Sequence, residues 1–201
     1  DGDAVLATTD PPPDQGTVTR ATIDGRGLVV QVQDDRPVNH DLSWFLLWIM
    51  AVIVAASRMR HPLEARTLAR LAAHHAGTGA GSVVGFGLSN DERRGDTREF
   101  AAAFGIAERA GLALLPHAGE LLGAEAVAET LDSLRPDRLG HGVRCVEDPA
   151  VLERVVASGV ALEVCPGSNV ALGVYAEAAD VPLRRLVDAG ATVALGADDP
   201  V

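Results

Sequence analysis

The sequence predicts an α/β fold, a (β/α)8 barrel of the TIM type, of which about six strands are recognisable. Two observations support this prediction. After residue 50, amphipathic helical segments alternate with short apolar segments, and a glycine follows most of the helical segments. Polar and ionisable residues then follow several of the apolar segments. A barrel collects reactive groups from several strand ends at one rim, whereas an open sheet concentrates its site at one switch point.

The predicted elements alternate in order along the chain. A first strand leads to a helix that has Pro62 at its start and Gly77 at its end. The strands are predicted at 52–56, 82–87, 112–115, 138–140, 160–164 and 192–196. The helices are predicted at 63–76, 100–110, 124–134, 150–158 and 183–189. Because a helix separates each strand from the next, consecutive strands are expected to be parallel.

The first 50 residues do not follow this alternation. They contain three consecutive prolines at 11–13, and apolar and polar residues alternate weakly at 28–33, as in a strand. A hairpin is expected around Asp24-Gly25. We therefore predict two regions, an unrecognised and partly disordered N-terminal segment over 1–50 and a partial (β/α) barrel domain over 51–201.

Charge and composition exclude several classes of partner. The net charge is −11, which argues against binding to nucleic acid or to an anionic membrane and leaves small molecules as the expected ligands. The apolar run at 44–56 is shorter than the ~20 residues of a membrane span and is interpreted as a buried strand with a packed segment before it. Cys145 and Cys165 lack the spacing of a disulfide scaffold, so reduced thiols in a cytoplasmic protein are expected. The oligomeric state stays open.

Ionisable side chains follow three of the predicted strands. His117 and Glu120 follow the third strand, His141 follows the fourth, and Asp198 and Asp199 follow the sixth. Neutral imidazole and carboxylate oxygen are zinc ligands, and hydrolysis at a metal also needs an acid and a base nearby. One histidine or one aspartate pair is usually structural, but their joint occurrence at strand ends predicts a metal-dependent site.

These segments resemble four signature segments of the adenosine deaminase family, in the family's order and at its spacing. They are His-Ala-Gly-Glu at 117–120, Arg-Leu-Gly-His-Gly at 138–142, Glu-Val-Cys-Pro at 163–166 with Ser-Asn at 168–169, and Asp-Asp-Pro at 198–200. Two earlier segments, at 57–61 and 85–92, are similar to the family's Met-Arg-His and Gly-Asp-Glu segments. The resemblance extends over residues 52–201 and identifies the chain as a member of this family. All 17 basic residues are arginine, which we interpret as the base composition of a high-GC bacterium, so a bacterial member is expected.

The resemblance implies a zinc-dependent hydrolase that deaminates a purine nucleoside, with adenosine as the default substrate. It implies that His117 and Asp198 bind zinc. Glu120 would protonate N1 of the purine, and His141 would orient or deprotonate the attacking water. Asp199 would bind the purine at N7 and help to place the water.

Two departures from the family pattern keep alternatives open. The family's first strand carries an HxH pair that supplies two further zinc ligands, and no HxH occurs in this sequence. The first two strands and the closing helix of the barrel are not recognisable, so we expect a chain truncated at both ends. Asn90, assigned here to substrate binding, replaces a glycine whose backbone meets the purine. The alternatives are therefore an aminodeoxyfutalosine or adenine deaminase, or an inactive fragment or pseudoenzyme.

Overall fold

The computed structural model describes residues 52–79 and 81–198 and the backbone of two strands before them. The eight strands form one sheet in chain order. They are β1 (Val18–Ile23), β2 (Arg26–Val32), β3 (Val52–Ser57), β4 (Val83–Ser89), β5 (Ala113–Ala118), β6 (Arg138–His141), β7 (Ala161–Val164) and β8 (Thr192–Leu195). The helices are α1 (Pro62–His74), α2 (Ala101–Arg109), α3 (Ala124–Leu134), α4 (Pro149–Ser158), α5 (Pro166–Ala171) and α6 (Leu183–Asp188). Short 3₁₀ turns lie at Thr97–Phe100, Val143–Glu147 and Ala178–Asp180.

The first three strands are antiparallel. In the pair formed by β1 and β2, Ile23 lies opposite Arg26, which is the hairpin that the sequence predicts. Strand β2 then pairs with the start of β3, where Val32 lies opposite Val52. Asp24 and Gly25 and the predicted disorder of the N-terminal segment lie outside the described residues, so the division of the chain at residue 50 stays a prediction.

Strands β3 to β8 confirm the predicted partial barrel. Each of them pairs in parallel with the next, and the order is never reversed. A doubly wound sheet would contain a switch point, whereas a barrel keeps its strands in sequence order. Strand β8 pairs with β7 in the described part of the chain, and the side chain of Leu195 on it is 68% exposed.

Two boundaries differ from the sequence-based prediction for identifiable reasons. Strand β5 was expected to end at residue 115, because the next residue, Pro116, lacks a backbone donor. In the structure Pro116 lies opposite Leu88 of β4, and the strand continues to Ala118. Helix α5 was not predicted, because its six residues contain Gly167 and are too few for a helical pattern.

Two hydrophobic clusters hold the helices against the sheet. One joins β3 and β4 to α1 and α2, and in it Phe86 and Phe104 meet edge to face with ring centroids 5.3 Å apart. The other joins β6 and β7 to α3, α4 and α6 through Val127, Leu162 and Leu186, which are fully buried. Within the described residues, no helix is both long and apolar enough to cross a membrane.

Two histidines and two cysteines apart from the predicted site residues differ in their exposure. His74 and His75, at the end of α1, are exposed. Cys145 and Cys165 are buried free thiols. Burial raises the pKa of Cys165 to about 12, and the negative charge of Asp198 adds to this increase, so this thiol stays protonated and unreactive.

Candidate active site

Three of the predicted site residues meet at the carboxyl ends of the parallel strands. His117 is the next-to-last residue of β5, His141 is the last residue of β6, and Asp198 follows β8. One potential ligand atom from each side chain lies within 4.8 Å of the others. The imidazole rings of His117 and His141 meet edge to face, with centroids 5.0 Å apart. Asp199 lies outside the described residues.

Unusual backbone conformations bring these groups together. His141 and Asp198 have φ values of 64° and 58°, in the left-handed region that side chains rarely adopt. Gly140 leaves space for the neighbouring ring, because a Cβ there would lie 2.8 Å from Nε2 of His117. Gly119, with a φ of 70°, lets the chain turn sharply between His117 and Glu120. Left-handed residues without glycine's freedom are concentrated at functional sites.

Glu120 is a buried carboxyl group beside His141. The residue is 7% exposed, and its Oε1 lies 3.4 Å from Nε2 of His141. Burial raises the pKa of Glu120 from its ordinary value of 4.5 to about 7, and the negative charges of Asp198, Glu92 and Asp91 add to this increase. Glu120 is therefore partly protonated near neutral pH, as a general acid must be.

The pKa of His141 is shifted in the opposite direction. The residue is 1% exposed, and burial lowers its pKa to about 4. The positive charge of His117 lowers it further, while Asp198, whose Oδ2 lies 3.6 Å from Nε2 of His141, opposes the decrease. The imidazole is therefore neutral near pH 7 and can accept a proton or coordinate a metal.

Ser168, in the helix that follows β7, supports the carboxylate of Asp198. It lies in α5, and its hydroxyl donates a 2.8 Å hydrogen bond to Oδ2 of Asp198. Such partners hold a metal-binding carboxylate in one orientation. The sequence comparison included Ser168 in the segment at 163–169 but gave it no role, because only the fold brings it to Asp198.

Two buried charged residues, Arg58 and Glu92, also contact the site, although the sequence assigned them no role. Arg58, which is 3% exposed, donates from Nη2 to the carbonyl oxygen of His117 at 2.9 Å. Glu92, which is 5% exposed, accepts from the backbone N–H of Gly119 at 2.8 Å and from that of Leu122. One signal in the sequence could have found them. Each is a charged residue in one of the two earlier segments that resemble the family, and each segment lies at the end of a predicted strand.

Asn90 lies at the end of β4 with an exposed side chain. Its Nδ2 donates a 2.8 Å hydrogen bond to Oγ of Ser57, the last residue of β3. Its φ of 72° is left-handed, which glycine and asparagine tolerate better than other residues. This conformation explains why asparagine can stand at a position where glycine is usual. Contact between Asn90 and a substrate stays a prediction.

Parallel strands whose ends carry two imidazoles, a carboxylate and a protonatable glutamate are typical of (β/α) barrel hydrolases, and the first three groups could hold a metal ion. The chain belongs to the adenosine deaminase family, because the sequence model of that family matches residues 41–201.

Relatives with high identity carry related names. A putative adenosine/adenine deaminase of Streptomyces coelicolor is 60% identical over 152 residues, which are 76% of this chain and 43% of that protein. An adenine deaminase of Agrobacterium fabrum is 45% identical over 152 residues, again 76% of this chain and 41% of that protein. The chain thus spans less than half the length of these relatives.

Solved structures agree with this assignment. The crystal structure of adenine deaminase from Arthrobacter aurescens superposes with a TM-score of 0.67 and 37% identity, covering 75% of this chain and 45% of that one. An amidohydrolase from Burkholderia ambifaria with bound zinc gives a TM-score of 0.66 at 26% identity, covering 75% and 42% respectively. The described strands therefore correspond to part of a larger barrel.

Proposed function

We propose that this chain carries the purine-deaminating site of its family and hydrolyses the amino group at C6 of adenosine or adenine, with zinc as the metal. The observation that carries the proposal is the pair formed by Glu120 and His141. One group can donate a proton near neutral pH and the other can accept one, and their reactive atoms are 3.4 Å apart. Displacing ammonia from an aminopurine by water needs both functions.

The donor groups at the site fit zinc. Imidazoles and a carboxylate are the usual protein ligands of catalytic zinc, and the serine that supports the carboxylate is the kind of partner such ligands have. His117 and Asp198 would hold the metal, and His141 lies close enough to be a third ligand or a base. The zinc found in the Burkholderia amidohydrolase supports this choice of metal. Bound there, zinc would lower the pKa of water and so supply a nucleophile at neutral pH.

The protein's own groups then divide the proton transfers. His141, neutral and buried, would take a proton from the attacking water. Glu120, protonated, would donate to the ring nitrogen next to C6, which makes that carbon electrophilic. Asp199 would accept a hydrogen bond from the purine at N7, and Asn90 would contact the purine edge. Burial of Glu120 and His141 excludes bulk water and so strengthens the interactions of these two groups.

Two substrates are consistent with this site. Adenosine is the substrate that the sequence resemblance implies first. Adenine is the second candidate, because the relatives that are 45% to 60% identical have names that include adenine deaminase. The two differ by the ribose, so the relative rates of the free base and the nucleoside decide between them.

Ammonia release tests the proposal directly. The purified chain is incubated with zinc and either adenine or adenosine, and a Glu120→Gln variant serves as the control. Release from the chain that disappears in the variant supports the proposal, because glutamine keeps the shape of the side chain and removes its acidic proton. A folded chain that releases no ammonia from either purine refutes the activity for this chain and leaves its family membership as ancestry.

A further inference from the structure

We propose that Arg58 and Glu92 are positioning residues that clamp the turn at 117–122 and thereby hold His117 and Glu120 in place around His141. The inference rests on the proposed function for its consequence in catalysis, while the clamp itself can be tested without activity. It assigns a role to one buried charged residue in each of the two earlier segments that resemble the family, residues that the proposed reaction does not use.

Glu92 holds the turn from one side. Its Oε2 accepts from the N–H of Gly119, and its Oε1 accepts from the N–H of Leu122. These two donors lie on either side of Glu120 in the chain. Because both oxygens of one buried carboxylate are used, the separation between the two backbone groups is fixed, and the turn cannot open without breaking a charge-assisted hydrogen bond.

Arg58 holds the other end of the same turn. Its Nη2 donates to the carbonyl oxygen of His117, while its Nη1 donates to Oγ1 of Thr97 at 3.0 Å. The planar guanidinium therefore links the backbone of His117 to the 3₁₀ turn before α2. The two contacts use two different nitrogens of the guanidinium, whereas a lysine would have to make both from its single ammonium nitrogen.

The charges of the pair favour a role in placing the turn over a role in stability. Burial lowers the pKa of Arg58, and the attraction of Glu92 and of Glu129 opposes this decrease. Burying opposite charges contributes little net stability in general, whereas removing one of them leaves the other uncompensated. No hydrogen bond between Arg58 and Glu92 is present in the described structure. Each of them instead bonds backbone groups of the segment that carries the site residues, and Arg58 bonds the side chain of Thr97 as well.

Amide hydrogen exchange tests the clamp without any reaction. In Glu92→Gln the side chain keeps its size but retains one acceptor oxygen, so one of the two N–H groups faces an amide donor. We expect exchange at Gly119 or Leu122 to accelerate about tenfold or more, with no change in α1 or α4. The matched control is Glu108→Gln, which removes an exposed carboxylate paired with Arg135.

A second measurement separates positioning from simple stabilisation. The rings of His117 and His141 give a strong nuclear Overhauser effect if they stay edge to face at 5.0 Å. This effect should weaken in Glu92→Gln and in Arg58→Met while the rest of the spectrum stays folded. Unchanged exchange at both amides, or an unchanged ring contact in a folded Glu92→Gln protein, overturns the proposal. If Arg58→Met does not fold, Glu92→Gln decides alone.

Cobalt binding separates this proposal from the proposed function. Titration with Co²⁺, followed by its visible absorption, should show affinity reduced about tenfold in Glu92→Gln and unchanged in Glu108→Gln. If the unaltered chain binds no Co²⁺ and releases no ammonia, the proposed function fails, and the exchange and ring measurements still decide the clamp. Co²⁺ that binds equally well to the unaltered chain and to Glu92→Gln contradicts the effect of the clamp on His117.

Discussion

Replacing Glu120 by glutamine should change the stability of the metal-free chain in a way that depends on pH. The folded-state pKa of Glu120 is raised from 4.5 to about 7. Its contribution to stability is therefore fully present below pH 4.5 and is lost as the pH rises through 7. About 2.5 pH units at 1.36 kcal/mol per unit correspond to about 3 kcal/mol. Glutamine does not ionise, so the variant does not lose this stability. Between pH 4.5 and pH 8 its free energy of unfolding should therefore rise by about 3 kcal/mol relative to that of the unaltered chain.

His141 makes the stability of the chain depend on pH in the opposite direction. Its folded-state pKa is lowered from 6.5 to about 4, so its contribution is present above pH 6.5 and is lost as the pH falls through 4. In the unaltered chain the two slopes partly cancel between pH 4.5 and 6.5. In Glu120→Gln only the pH dependence contributed by His141 remains, so the free energy of unfolding of the variant should rise with pH across this interval.

Urea unfolding in the presence of EDTA measures both effects. The free energies of unfolding of the two proteins are compared at pH 4.5 and pH 8, which cancels the contribution of His141. Glu108→Gln is the control, since loss of an exposed ion pair should change stability by less than about 1 kcal/mol at either pH. A difference between Glu120→Gln and the unaltered chain that is the same at both pH values refutes the reasoning that burial keeps Glu120 protonated.

Three further substitutions test other parts of the fold and the site. Gly119→Ala should destabilise the chain by about 2 to 4 kcal/mol in urea unfolding, because φ is 70° and the new methyl group would overlap Val127; a smaller loss would show that the turn can relax. Ser168→Ala should weaken Zn²⁺ binding about tenfold in a chelator competition, through the lost hydrogen bond to Asp198, and unchanged affinity would contradict this support. Leu139→Ala, in a fully buried position of β6, should cost about 2 to 5 kcal/mol of unfolding free energy, and a loss below 1 kcal/mol would contradict the packing described.

The strands and helices after residue 50 could be predicted because local and global signals agree there. Helix α3 begins and ends where its apolar period predicts, at Ala124 and Leu134. Strand β5 was predicted too short, because local chemistry at Pro116 suggests an end that the neighbouring strand overrides. The barrel, and with it the order of the strands, was predicted from polar residues at several strand ends, because an open sheet concentrates its site at one switch point.

Residue types could predict part of the site, but not the contacts between its members. His117, His141 and Asp198 were chosen because they follow strands, and the structure brings them together. The hydrogen bonds that Arg58 and Glu92 make to the turn could not be predicted, because they join residues 27 to 59 positions apart to backbone groups that carry no sequence signal. The opposite shifts in the pKa values of Glu120 and His141 could not be predicted from the sequence either, because their main cause is burial, which depends on the fold.

The described residues that break local rules are concentrated at the rim that carries the site. Among the described residues, four other than glycine are left-handed, and three of them, Asn90, His141 and Asp198, follow or end a parallel strand at that rim. The fourth, Arg135, closes a helix. Some of the buried polar atoms that have no hydrogen-bond partner in the described part of the chain, such as Oε1 of Glu120 and Nδ1 of His141, also lie at this rim. Each of these features costs free energy, and a core selected for stability alone would replace them with paired or apolar groups. At the same rim the pKa of Glu120 is raised and the pKa of His141 is lowered. Together these features indicate that the rim was selected for chemistry. The stability contributed by the two hydrophobic clusters offsets their cost in free energy.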